Sequence, residues 1–318
     1  CETAGNIAEQ VREAFFANLQ ADVIHISSLF EGFSEEAITS IGALDKVTPV
    51  SVIIYDLIPL LNPEQYLISH EQYERHYRRK IDCLKKASHF FSISEFSKQE
   101  AVQALELTED TVTNIFGAID ESLSEIDQKS LPDSNYLETL GIVRPFILHT
   151  GGGDERKNLP RLIKAFAQLP AKLRSSHQLV FAGRMTPIIL TQLQKHALTA
   201  GLRSDELVFT QFISDAVLAR LYIDCALYVF PSRHEGLGLP AMEAMSFGAP
   251  VIAANTTSLP EVIVKTEGLF DPLDVDDMCE KICKALVDKS FRNELIAHGT
   301  QRATQFSWDK SAKRTIQA

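Results

Sequence analysis

From residue 146 onward, short apolar runs alternate with helix-like segments, and no other feature of the chain limits its fold so strongly. The runs begin near Phe146, Leu179, Leu207, Ala226, Pro250 and Gly268, each followed by a stretch with helical spacing of apolar residues. Strands that alternate with helices build an open α/β sheet whose faces those helices cover. The first part of the chain carries a thinner version of the pattern: a helix over residues 9–19 and strands over 23–26, 50–55 and 89–93. A length of 318 residues is about two domains' worth. The expected division is 1–130 and 131–318, two Rossmann-like domains meeting near a polar stretch over 121–134.

Two strand ends carry the chemistry. In an open α/β sheet, ligands gather outside the carboxyl ends of the strands, where helix N-termini offer unpaired N–H groups and a partial positive charge. After the run at 226–230 comes S-R-H-E-G-L-G-L-P-A-M-E-A-M-S-F-G, residues 232–248. Pro240 suits a first helical turn and Gly248 a helix stop, which puts Glu235 in a loop and Glu243 in the first turn of the helix. Gly236 and Gly238 let the backbone come close to phosphate or sugar oxygens, with the loop's N–H groups as donors. Glu243 could accept the hydroxyls of a ribose and Glu235 those of a hexose. Taken singly, Glu235 is equally a solvated loop residue and Glu243 an ordinary acid favoured by the helix dipole.

The second such end follows the run at 146–150, where G-G-G-D-E-R-K-N places Gly152, Gly153, Arg156 and Lys157 ahead of a helix capped at Asn158. Cations are disfavoured at a helix N-terminus unless an anion shares the site, and an Arg fork beside a Lys point charge suits diphosphate oxygens. The alternative is a solvated basic pair in a surface loop. Neither loop is a G-x-G-x-x-G or a Walker loop, which weighs against nicotinamide dinucleotides and ATP hydrolysis.

Together, G-G-G-D-E-R-K-N and H-E-G-L-G-L-P-A-M-E-A resemble the retaining glycosyltransferases of family four, which share the GT-B fold: two Rossmann-like domains facing each other across a cleft. The resemblance extends through Y-D-L-I-P-L-L from Tyr55, S-I-S-E-F-S from Ser92 and A-I-D-E from Ala118, and so covers nearly the whole chain. It implies that Glu235 and Glu243 bracket a donor site and that Arg156 and Lys157 bind the donor diphosphate. Gly152, Gly153, His234 and the stretch Gly236, Leu237, Gly238 and Leu239 line the same site. It also implies a part for Asp56, whose other reading is a strand-end turn residue satisfying local N–H groups. Where many relatives carry a His facing the donor sugar, this chain has Tyr55, and a phenol cannot titrate near neutral pH as imidazole does. A domain of this family begins with a strand and a glycine-rich loop, whereas this chain opens with Cys1 and a helix. The first strands are therefore expected to be missing, with the chain a piece of a longer, multidomain polypeptide or a trimmed form. The closing segment around Trp308 resembles the helix that in relatives returns toward the first domain.

Composition narrows the rest. A formal charge of −11 argues against nucleic acid as a partner. No run reaches the ~18 apolar residues of a membrane-spanning helix and no basic-then-apolar leader is present, so the expectation is a cytoplasmic protein, working at the inner face of the membrane if its acceptor is lipid-linked. Five scattered cysteines make no disulfide framework, and Cys279 and Cys283 fall on a helical stripe with Met278 and Ile282 that reads as core packing. No His pair has metal-ligand spacing. Over residues 73–86, Tyr73, Tyr77, Ile81 and Leu84 share one helical stripe among basic residues, which could lie on anionic lipid or belong to an ordinary helix with a solvated charged face.

The expectation is thus a retaining, metal-independent hexosyltransferase without a cofactor, using a GDP-sugar or UDP-sugar donor and a glycan or lipid-linked glycan acceptor. Glu235, Arg156, Lys157 and Asp56 are its candidate catalytic residues. Mannose is the first choice of sugar, because the Y-D-L-I-P and S-I-S-E-F-S stretches resemble mannosyltransferases of bacterial surface polysaccharide assembly. The competing expectations are an epimerase or hydrolase of nucleotide-sugars on the same fold, a pyridoxal-phosphate phosphorylase, and a degenerate transferase domain serving as a binding or assembly module.

Overall fold

Ten strands in the computed structural model form two separate parallel sheets; the residues described are 2–124, 126, 131–133 and 135–318. Cys1 and most of the polar stretch between 125 and 134 lie outside them. The chain divides into two compact units, Cys1–Phe116 with Asp309–Ala318, and Gly117–Trp308.

In the first unit β1 (Ile24–Ile26), β2 (Val50–Ile54), β3 (His89–Ser92) and β4 (Val112–Asn114) pair in the order β1-β2-β3-β4. Sequence periodicity locates the first three; β4 is too short and too rich in Thr and Asn to stand out from its surroundings. The helix Glu71–Leu84 uses its apolar stripe internally, with Tyr77, Ile81 and Leu84 buried among Leu29, Val52 and Ile54. Lys80 on the same helix is buried too, its ammonium donating to the Thr39 carbonyl at 2.7 Å. The stripe is therefore core. On the outer face, Arg78 pairs with Glu74 at 2.8 Å and Arg79 with Glu9. The C-terminal helix Trp308–Gln317 belongs largely to this unit: Ser311 donates to the Phe116 carbonyl at 2.7 Å and Arg314 stacks over the Phe116 ring.

The second unit holds β5 (Phe146–Thr150), β6 (Gln178–Ala182), β7 (Leu207–Gln211), β8 (Leu227–Phe230), β9 (Val251–Ala254) and β10 (Leu269–Phe270). These are the six strands that the apolar runs predict. Every residue of β5, β6, β8 and β9 is buried, as a parallel sheet covered on both faces requires. From the helix Leu159–Gln168, Leu159, Leu162, Ile163, Ala165 and Phe166 are buried. Each large side chain so buried contributes about 1.5–3 kcal/mol relative to exposure.

The strand order is β10-β9-β8-β5-β6-β7. The chain runs outward from β5 through β6 to β7, then returns to β5's other side and proceeds through β8 and β9 to β10. The direction of winding reverses between β5 and β8, and at such a switch point the loops leaving the two strands diverge and open a crevice. The two loops singled out by sequence leave these two strands. Among the described residues no helix is long and apolar enough to cross a membrane.

Candidate functional site

The loop after β5 folds into a single 3-10 turn, Glu155–Lys157, because Asp154 accepts the Arg156 N–H at 2.9 Å and fixes the turn's start. Arg156 and Lys157 thus lie in the turn itself. Asn158 does stand at the cap position of the next helix, but in the left-handed conformation and without a capping side-chain bond. Its buried amide instead donates to the carbonyls of Pro231, at 3.1 Å, and Pro272, at 2.7 Å. This one side chain ties the β5 loop to the segments that follow β8 and β10.

That tether brings the loops into contact. Arg233 N–H donates to the Arg156 carbonyl at 2.7 Å, and Arg156 Nη1 donates to the His234 carbonyl at 2.9 Å. Glu235 takes both cations, Lys157 Nζ at 2.6 Å on Oε1 and Arg156 Nη1 at 2.8 Å on Oε2. Glu235 and Lys157 are only 7% and 8% exposed, so the pair is shielded from solvent screening. Burial pushes the Glu235 carboxyl up, yet Lys157 and Arg156 outweigh it and hold it below the ordinary value. For Lys157 burial prevails over Glu235 and lowers its pKa. The difference follows from stoichiometry: the carboxylate is compensated by two cations, whereas the ammonium shares its one close acid with Arg156.

The loop after β9 supports this carboxylate from beneath. Thr257 Oγ1 accepts the Glu235 N–H at 3.2 Å, and the fully buried Ser258 donates its hydroxyl to the Glu235 carbonyl at 2.9 Å. Gly238 then caps the helix Leu239–Ser246 at φ +105°, and a Cβ there would stand 2.7 Å from Leu259 Cδ2. Packing and backbone angle, before any ligand, require glycine at 238. The N–H groups of Leu237, Gly238 and Leu239 have no acceptor among the described residues.

Glu243 lies beyond the first turn of its helix, as the fifth residue, correcting the expectation that placed it at the N-terminal end. Its Oε2 accepts the Tyr222 hydroxyl at 2.8 Å. Burial raises its pKa; the Tyr222 bond opposes that, and nearby Asp215 and Asp120 add to it. The two glutamates of one motif therefore sit in opposite electrostatic settings.

Tyr55 and Asp56 belong to the first unit. Tyr55 is half-exposed, and its carbonyl accepts the Ser97 hydroxyl at 3.3 Å. Asp56 Oδ1 accepts the Ile58 N–H at 3.0 Å, a turn contact at the end of β2.

Residues 140–302, half of the chain, match the glycosyl transferases group 1. The chain belongs to that family. It is 36% identical over 310 residues to the serotype-specific mannosyltransferase WbdA of Escherichia coli, covering 98% of this chain and 38% of that protein. With the O-antigen chain mannosyltransferase B of Escherichia coli the identity is 31% over 240 residues, 74% of this chain and 61% of the relative. The chain thus spans less than two fifths of the first relative's length. Among solved structures, Anabaena Alr3699/HepE in complex with UDP and glucose superposes with a TM-score of 0.75 at 20% identity, covering 96% of this chain and 80% of the other. The two parallel α/β sheets are those of the GT-B fold.

Several residues of the site carry no motif that would reveal them. His149, at the end of β5, is wholly buried with Nδ1 3.1 Å from the Val229 carbonyl, and its Nε2 has no hydrogen-bond partner among the described residues. Burial, aided by Lys157, pushes its pKa down to about 3, so it is neutral and donates through Nδ1. Gly183, after β6, packs so closely under the β5 loop that a Cβ would stand 2.4 Å from the Gly151 carbonyl oxygen. Thr150 and Tyr228 lie within apolar strand runs and Tyr222 in the helix before β8, and their hydroxyls meet one another beside Glu243.

Proposed function

We propose that this chain transfers a hexose, with mannose the first candidate, from a nucleoside-diphosphate donor to a glycan or lipid-linked glycan acceptor. The anomeric configuration is retained, and neither metal nor cofactor takes part. The observation that carries the reading is the meeting of the β5 and β8 loops at the switch point, with Arg156, Lys157 and Glu235 in one buried cluster beside a glycine-capped helix start. The kinship with two mannosyltransferases supports the choice of sugar.

In this reading the diphosphate lies between the cations and the N–H groups of residues 237–239. Lys157 and Arg156 exchange part of their contact with Glu235 for phosphate oxygens. Their charges then oppose the negative charge that grows on the leaving diphosphate, and because the turn and the Asn158 tether hold them in place, little reorganisation is needed during reaction. Glu235, released in part from its cations, accepts sugar hydroxyls, and Glu243 accepts those of the ribose. The acceptor hydroxyl attacks from the face the diphosphate leaves and gives its proton to the departing phosphate oxygen as the bond from the anomeric carbon to that oxygen breaks, so no enzymic nucleophile is assigned.

The test is direct. Screening GDP- and UDP-sugars for a rise in melting temperature identifies the donor, since a ligand at 100 times its Kd adds about 2.7 kcal/mol. With that donor, Lys157→Ala and Arg156→Ala should each cut transfer at least tenfold while circular dichroism stays native. Unaltered turnover in either variant refutes the assignment.

A further inference from the structure

The proposed donor site has a second layer, a chain of hydroxyls that begins at the buried Tyr228 and ends on Glu243. Tyr228 OH lies 2.9 Å from Thr150 Oγ1, Thr150 Oγ1 lies 3.1 Å from Tyr222 OH, and Tyr222 OH donates to Glu243 Oε2 at 2.8 Å. Each hydroxyl has one proton to give. Tyr222 spends its proton on the carboxylate, so its oxygen accepts from Thr150; Thr150 in turn accepts from Tyr228. The chain therefore runs in a single direction, Tyr228 to Thr150 to Tyr222 to Glu243. Both tyrosines are fully buried and Thr150 nearly so, and burial holds the phenols well above their ordinary pKa, so neither loses the proton on which the polarity depends.

The rings are clamped as well. Tyr222 stacks on Phe247 with an interplanar angle of 14° and a centroid distance of 5.9 Å, and meets Tyr228 edge-on at 5.7 Å. The hydroxyl of Tyr222 is thus held at a fixed point, and with it one oxygen of Glu243. Glu243 makes no ion pair among the described residues, and its charged neighbours Asp215 and Asp120 are acids. A carboxylate that accepts from one neutral donor keeps further lone pairs, with which it can accept the two hydroxyls of a vicinal diol.

We infer that Tyr222, backed by Thr150 and Tyr228, is a positioning residue that orients the Glu243 carboxylate toward the ribose hydroxyls of the donor and so sets the preference for a ribonucleotide. This rests on the assignment of Glu243 to the ribose, and the experiment separates the two. Calorimetry compares a nucleoside diphosphate, GDP or UDP as the donor screen selects, with its 2′,3′-dideoxy form. The wild type should bind the ribose form about tenfold more tightly. In Tyr222→Phe, which keeps the clamped ring, that ratio should fall at least threefold while affinity for the dideoxy form stays unchanged, a pattern that general loosening of the site would not give. Thr150→Val, one link further back, should lower the ratio in the same direction and serves alone if the Tyr222 variant fails to fold. An unchanged ratio in these variants, with the ratio lost in Glu243→Ala, overturns the positioning role and leaves the ribose assignment standing. A ratio that survives Glu243→Ala, or a wild type that binds neither form, overturns both.

Discussion

The last two residues of β5 face opposite sides of the sheet, and two different kinds of site grow from them. Beside His149 lies the ionic end, where Lys157 and Arg156 grip Glu235. Beside Thr150 lies the hydroxyl end, where phenols and a threonine converge on Glu243. The two glutamates belong to one motif, yet the first is held below its ordinary pKa by cations and the second raised above it by burial. What a carboxylate does is decided by its partners. Spacing along the chain places both glutamates in the segment after β8 and says nothing of that difference.

The comparison can be broken most sharply by neutralising each acid in turn. Glu235→Gln leaves the buried Lys157 without its close counter-charge, while Arg156 keeps Asp154 at 3.8 Å, and should cost about 3–5 kcal/mol of unfolding free energy, the scale for breaking a buried pair from one side. Glu243→Gln keeps an oxygen for Tyr222 and removes a charge that burial disfavours, so its stability at neutral pH should be unchanged or raised. Urea unfolding at pH 7 measures both. Equal losses would mean that the two ends are electrostatically alike.

Next in size is the hydroxyl chain itself. Thr150→Val removes the central link and leaves two buried phenols each short of a partner, which should cost about 1–3 kcal/mol. A loss below 0.5 kcal/mol, the scale of an ordinary surface change, would mean that these hydroxyls find other partners.

Acid titration sharpens the contrast through its sign. The folded pKa of Glu235 lies below its unfolded value of 4.5, so its contribution is complete above that value and is lost as pH falls through the lower folded one. Glu243 has a raised folded pKa. Its contribution is present in full below 4.5 and is lost as pH rises through the folded value. Unfolding free energies followed from pH 7 to pH 3 should therefore fall less steeply in Glu235→Gln than in the wild type, and more steeply in Glu243→Gln. The same slope in all three proteins would contradict both directions.

How much of this the sequence discloses depends on the length of the signal. The six strands of the second unit announce themselves through apolar runs buried on both faces, and the loops at β5 and β8 through glycines clustered with charges at strand ends. β4 has neither. The stripe of Tyr77, Ile81 and Leu84 suits an ordinary helix with a solvated charged face and also a lipid-facing one, because periodicity gives a face and not its partner; the packing of β2 and Leu29 against it decides. The ion pairs of Glu235 are out of reach for a related reason. Residues 78 apart meet only because the strand order sets β5 beside β8. Thr150, Tyr222 and Tyr228 look like core residues and are core residues, their hydroxyls being a second property that no pattern of apolar positions encodes.

The smallest effect concerns whether the two ends are independent. Among the described residues Lys157 and Tyr222 share no hydrogen-bond partner, one acting on Glu235 and the other on Glu243. One route between them runs through side chains, Lys157 over the Phe230 ring at 5.0 Å, Phe230 against Tyr228 at 6.1 Å, and Tyr228 edge-on to Tyr222. Rings in a close-packed sheet interior transmit a displacement weakly unless one of them must move, and Lys157→Met and Tyr222→Phe both keep the contacting bulk in place. The double variant should therefore lose the sum of the single losses to within about 0.5 kcal/mol, as separate sites do. A coupling energy of 1 kcal/mol or more would mean that the ionic and hydroxyl ends form one network through Phe230. The contrast between the two glutamates would then describe two parts of a single device.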